Sequence, residues 1–124
     1  MNKKKILIIE DEATLQKSLT EFLIAENFVV ISALDGEKGV ELARRELPDL
    51  VLLDIVLPKK DGYEVLTDLK QDEKTKYIPV ILLTNLESAE DVDKAFEKGA
   101  STYLVKSNYK LEEIVGKIKE TLKI

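Results

Sequence analysis

The sequence predicts an α/β domain built on a doubly wound parallel sheet with helices on both faces. Three observations predict it. Five short runs rich in Val, Ile and Leu alternate with five stretches whose apolar residues recur at three- and four-residue spacing. The runs are apolar almost throughout, as strands buried on both faces require; strands buried on one face would alternate. The chain of 124 residues, 44% of them hydrophobic, has the size and composition to bury one core.

The elements follow in order. KILII (Lys5 to Ile9) is the first strand, and Leu15, Leu19, Phe22 and Leu23 mark the first helix. FVVISA (Phe28 to Ala33) is the second strand. Asp35 and Gly36 make a turn and an N-cap, and Val40, Ala43 and Leu47 carry a helix that ends before Pro48. DLVLLD (Asp49 to Asp54) is the third strand. Asp61 to Glu64 has capping-box spacing, and Val65, Leu66 and Leu69 form the helix behind it. PVILLT (Pro79 to Thr84) is the fourth strand. A fourth helix is capped between Ser88 and Asp91, runs through Val92, Ala95 and Phe96, and ends at Gly99. STYLV (Ser101 to Val105) is the fifth strand, and Leu111, Ile114, Val115, Ile118 and Leu122 mark the last helix. No linker, repeat or low-complexity segment divides the chain, so residues 1–124 read as one domain with no output domain.

Composition narrows the chemistry. Histidine and cysteine are absent. That excludes an imidazole base, a Ser-His-Asp triad, an internal phosphohistidine, a disulfide framework and a zinc-thiolate site. The net charge of −5 argues against direct binding to nucleic acid or to an anionic membrane surface. No apolar run reaches about 18 residues, so no membrane span is expected. The basic start is followed by too short an apolar run for a signal peptide, and the expected location is cytoplasmic.

One stretch breaks the pattern. VLLDIVLPKKDG carries a carboxylate, Asp54, where a buried strand is expected. In an open parallel sheet the strand ends lie side by side, and ligands bind beyond the carboxyl edge. There the first strand ends in Glu10 and Asp11, the third in Asp54 and the fourth in Thr84, while Lys106 follows the fifth. Three carboxylates in one pocket repel one another. A hard divalent cation relieves this, and Mg²⁺ takes carboxylates, waters and phosphate oxygens in an octahedron. The Lys106 ammonium and the Thr84 hydroxyl complete a set suited to a phosphoryl group. Asp54 is then the natural nucleophile, since carboxylates form acyl-phosphates.

This constellation resembles the receiver domain of bacterial two-component response regulators, in the stand-alone form used in chemotaxis. The matching motifs are IIEDE, LLDIVLPKKDG, ILLTN and YLVKS, and the likeness spans nearly the whole chain. It implies a flavodoxin-like (βα)5 fold with strand order 2-1-3-4-5. It implies that Asp54 is the phospho-acceptor, with Thr84 and Lys106 holding the phosphoryl oxygens. Asp11, Asp54 and the Val56 carbonyl would ligate Mg²⁺, or Mn²⁺ in its place, with Glu10 acting mainly through water. Tyr103 would swing inward as Thr84 moves toward the phosphate, remodelling the surface of the fourth helix, fifth strand and fifth helix. The implied partners are a sensor histidine kinase or phosphotransfer protein and a downstream protein target, and that same surface offers a homodimer contact. Self-phosphorylation and slow dephosphorylation would be the only catalysis.

The chain departs from the resemblance at a few positions. Ser107 stands where most relatives have a proline joined by a cis bond. A cis bond to a non-proline residue costs about 2.5–4 kcal/mol, which favours a trans path. Asn85 replaces a small residue beside Thr84 that gates phosphate access. Val56 and Leu86, at two positions that tune hydrolysis, are apolar and cannot align an attacking water, so a slowly decaying phospho-form is expected.

Plainer readings stand beside these. Asp54 alone would be a turn residue, Glu10 and Asp11 a helix cap, Thr84 a strand residue, Lys106 a solvated charge and Tyr103 a packing residue. A flavodoxin-type carrier needs a Ser/Thr/Gly-rich phosphate loop where EDEATLQ stands. A dinucleotide enzyme needs G-x-G-x-x-G there. A haloacid-dehalogenase-like phosphatase needs a second acid two residues after its nucleophile, and that position is Val56. The competing function is a receiver-shaped interaction module that does not cycle phosphate.

Overall fold

The computed structural model describes residues 3–84, 93–94, 96–105 and 110–124. Five strands form one sheet: β1 (Lys5–Ile9), β2 (Val29–Ala33), β3 (Leu50–Asp54), β4 (Val80–Thr84) and β5 (Thr102–Val105). Their order is β2-β1-β3-β4-β5, and each neighbouring pair is parallel. Strand order reverses beside β1, which opens a crevice at the carboxyl edge. The described helices are α1 (Ala13–Ala25), α2 (Gly36–Glu46), α3 (Gly62–Gln71) and a C-terminal helix (Leu111–Leu122).

Alternation along each strand divides the core in two. Leu7, Ile9, Val51, Leu53, Val80 and Leu82 face one way, against α2 (Val40, Ala43) and α3 (Val65, Leu66, Leu69). Ile6, Ile8, Leu50, Leu52, Ile81 and Leu83 face the other, against α1 (Leu19, Leu23) and the C-terminal helix (Ile114, Val115, Ile118). Each fully buried Leu, Ile or Val contributes about 1.5–3 kcal/mol relative to exposure, so the sheet is held from both sides. β2 lies at an edge, and its Val29 is exposed.

The strands after β1 begin one residue later than the sequence suggests. Asp49 still belongs to the ladder region: its amide donates to the Lys5 carbonyl at 2.8 Å and its carboxylate accepts the Lys5 amide at 2.7 Å. Two of the expected caps, at Asp35 and Asp61, are present. Asp35 accepts the Lys38 amide at 2.8 Å to start α2, and Asp61 accepts the Glu64 amide at 3.0 Å to start α3. Leu47 is not on the buried face of α2. It is the C-cap, left-handed at φ 46°, and its side chain is 52% exposed. Pro48 disfavours helical geometry at the residue before it, so the chain turns out at Leu47.

The helix expected from Ser88 to Gly99 falls largely outside the described residues. Asp93, Lys94, Phe96 and Glu97 are helical, and Gly99 closes the segment at φ 106° with its amide on the Phe96 carbonyl. Only glycine reaches that φ without strain. Among the described residues, no helix is long and apolar enough to cross a membrane.

Candidate functional site

The β1–β3 register builds the site. Ile9 pairs with Leu53, so Glu10, just past β1, and Asp54, the last residue of β3, come side by side at the carboxyl edge. Both are enclosed, Glu10 fully and Asp54 to all but 4%, while Asp11 is exposed. One carboxylate oxygen from each of the three lies within 4.8 Å of the others. The acid that interrupts the apolar run of β3 is therefore the buried floor of an acidic pocket, and Asp11 stands at its rim.

Local bonds orient these groups. Glu10 Oε2 accepts the Glu12 amide at 3.1 Å. Glu12 is the N-cap of α1, and its own side chain makes no cap bond. Glu10 therefore bonds at the start of α1, while the residue in the cap position is Glu12. Asp54 Oδ1 accepts the Val56 amide at 3.3 Å, while the Val56 side chain points to solvent. Gln16, which the sequence did not single out, braces the first loop: its Nε2 donates to the Ala33 carbonyl at 3.1 Å and the Glu10 carbonyl at 3.4 Å. A glutamine one turn into an amphipathic helix carries no signal of that task.

The loop between β3 and α3 closes on itself. The Gly62 amide donates to the Ile55 carbonyl at 2.6 Å and the Lys60 amide to the Pro58 carbonyl at 2.7 Å. The start of α2 abuts it, with the Gly36 amide on the Pro58 carbonyl at 3.3 Å.

The remaining predicted residues are placed less fully. Asp54 pairs with Leu83, and Thr84 with Val105, so the Thr84 backbone ends β4 at the same edge as Asp54. Tyr103 lies within β5, its backbone opposite Leu82. Thr84 and Tyr103 are located here by backbone alone. Lys106, Ser107, Asn85 and Leu86 lie outside the described residues.

Chemically, the pocket is a set of hard oxygen donors, two of them withdrawn from water. Burying carboxylates together is unfavourable unless positive charge offsets it. A small divalent ion that takes oxygen ligands meets that need, and Mg²⁺ fits this donor set.

Comparison with known proteins agrees with the geometry. The family model for the response regulator receiver domain matches residues 6–119. The chain is 42% identical over 120 residues to the transcriptional regulatory protein CiaR of Streptococcus pneumoniae, covering 96% of this chain and 51% of that protein. The BeF3-activated N-terminal receiver domain of Klebsiella pneumoniae RstA superimposes with a TM-score of 0.88 at 32% identity, over 97% of this chain and 99% of that one. The receiver domain of a sensor histidine kinase from Pseudomonas aeruginosa, solved with a magnesium ion in its active site cleft, gives 0.89 at 26% identity, over 99% and 100%. The chain spans about half or less of the length of the curated relatives it matches.

Proposed function

The chain belongs to the response regulator receiver domain family, and from that premise we propose that Asp54 is its phospho-acceptor. One observation carries the reading: Glu10, Asp11 and Asp54 converge to within 4.8 Å at the ends of adjacent strands. Glu10, Asp11, Asp54 and the Val56 carbonyl would hold Mg²⁺, and Mn²⁺ suits the same oxygen donors. The bound cation supplies charge neutralisation for the phosphoryl oxygens and for the carboxylates around them.

This chain's own residues do the rest. The Asp54 carboxylate attacks phosphorus in line, an O–P bond forms, and the P–N bond of a partner's phosphohistidine breaks with its electron pair leaving on the imidazole. The phosphohistidine lies outside these residues, which contain no histidine. Its carrier is a sensor histidine kinase or a phosphotransfer protein. The Thr84 hydroxyl and Lys106 ammonium hold the phosphoryl oxygens. Contacts made only with the phosphoryl group favour one of two pre-existing states, with Tyr103 reorienting. The signal leaves through the surface of the fourth helix, β5 and the C-terminal helix, toward a protein target or a second copy. This acidic module makes no direct contact with nucleic acid or membrane, and it works in the cytoplasm.

The test is labelling by a small phosphodonor such as phosphoramidate, read by intact mass and peptide mapping. One phosphoryl group should appear on Asp54 with Mg²⁺ and be absent with chelator or in Asp54→Asn. No label on the native chain at saturating Mg²⁺ would establish the competing reading, an interaction module that does not cycle phosphate.

A further inference from the structure

The loop from Ile55 to Gly62 presents the Val56 amide to Asp54, and it is tied down at its far end by a side chain the phospho-acceptor reading does not use. Lys60 Nζ lies 2.5 Å from Asp68 Oδ2, an ion pair spanning from the loop to the second turn of α3. Both side chains are about 70% enclosed, so the pair is neither loose in solvent nor fully desolvated. Asp68 holds the Lys60 ammonium above the ordinary lysine range through this bond, and Glu64 and Glu37 add to it at longer reach. The neighbouring Lys59 is left-handed at φ 67°, and the Asp35 carboxylate lies 3.9 Å from its ammonium. The loop backbone is bent here, and the Lys60 side chain is directed back along α3.

We propose that Asp68, acting through Lys60, is a positioning residue for Asp54: the ion pair fixes the loop whose Val56 amide orients the acceptor carboxylate, and so sets the affinity of the acidic pocket for its divalent cation. The inference rests on the phospho-acceptor reading. Residues that orient metal ligands from behind typically change affinity 10–100-fold when removed. A pair one step further back belongs at the low end of that range.

The sign of the effect separates this from charge alone. Lys60→Met removes a positive charge near a cation site, and long-range electrostatics would tighten Mg²⁺ binding. A loosened loop weakens it. Mg²⁺ is titrated into native chain, Lys60→Met, Asp68→Asn, Asp68→Glu and the Lys60→Met/Asp68→Asn double variant by calorimetry at near-physiological ionic strength. Both single variants should bind about tenfold more weakly, the double variant no more weakly than either, and Asp68→Glu close to the native chain. Melting temperatures measured on the same samples show that each variant is folded. Unchanged or tighter binding by Lys60→Met overturns the proposal, as does additive loss in the double variant. A native chain that binds no Mg²⁺ overturns the phospho-acceptor reading itself, and this inference with it.

Discussion

Val56 donates its backbone amide to Asp54 Oδ1 at 3.3 Å while its side chain is 70% exposed. One residue therefore does two things. Its backbone orients the Asp54 carboxylate, and its isopropyl group stands in solvent two residues along the chain. Nothing on that side chain donates or accepts a hydrogen bond.

The phospho-form should therefore decay slowly. Asn at this position could hold a water for in-line attack, and orientation of that kind is expected to be worth roughly tenfold. Val56→Asn should shorten the phosphoryl half-life by that factor in excess Mg²⁺, measured by loss of label after the donor is removed. A native half-life of seconds would contradict the assignment.

Metal should stabilise the fold through the same carboxylates. Free Mg²⁺ at ten times its Kd adds about 1.4 kcal/mol, which raises Tm by about 4–7 °C for a chain of this size. Asp54→Asn should lose most of that rise. Without metal the same variant should melt above the native chain, since one of three converging negative charges is gone. Equal Mg²⁺ responses in both proteins would show that the ion binds elsewhere.

Much of this pocket could be read from the chain because a parallel sheet makes position along the sequence a guide to position in space. Glu10 follows the apolar run of β1 and Asp54 ends that of β3, and strands that pair in register deliver the residues after their apolar runs to one edge. The caps at Asp35 and Asp61 were legible for a similar reason, since a cap bonds an amide three residues away. Leu47 was misread because helical spacing continues into a residue whose backbone is governed by the proline after it. Contacts such as Lys60–Asp68, Gln16–Ala33 and Gly36–Pro58 left no trace, because each depends on where loops meet in three dimensions.

Two glycines in helices should respond oppositely to alanine. A Cβ on Gly36 would stand 1.9 Å from the Lys60 carbonyl oxygen, whereas one on Gly116 would meet nothing within 4 Å. Helix propensity favours Ala over Gly by about 1 kcal/mol at both. At Gly36 the clash should exceed that gain, for a net loss of about 1–3 kcal/mol. Gly116→Ala should gain about 0.4–1 kcal/mol. Urea denaturation of the two variants measures both, and a stabilised Gly36→Ala would mean that the loop does not approach α2 as described.

Acid should weaken the α2–α3 side through identifiable groups. The Asp72 carboxyl is held below its ordinary range by the Lys74 amide at 2.8 Å, and the Arg44 guanidinium at 2.7 Å contributes. The Glu46 carboxyl is lowered by its bond to the Lys5 ammonium at 3.4 Å, with Arg45 adding to it. A carboxylate whose folded pKa is depressed binds fewer protons folded than unfolded, so its contribution is complete above the unfolded value, near pH 4. It is lost as pH falls through the folded value. Lys60 has the opposite sense: its pKa is raised by Asp68, so its contribution holds below the ordinary lysine range and fades as pH rises through the folded value. Stability should therefore be flat around neutrality and fall in acid. The Tm gap between the native chain and Asp72→Asn should narrow from about pH 6 to about pH 2, as the native carboxylate takes up its proton. A gap that stays constant across that range would remove Asp72 from the account of acid sensitivity.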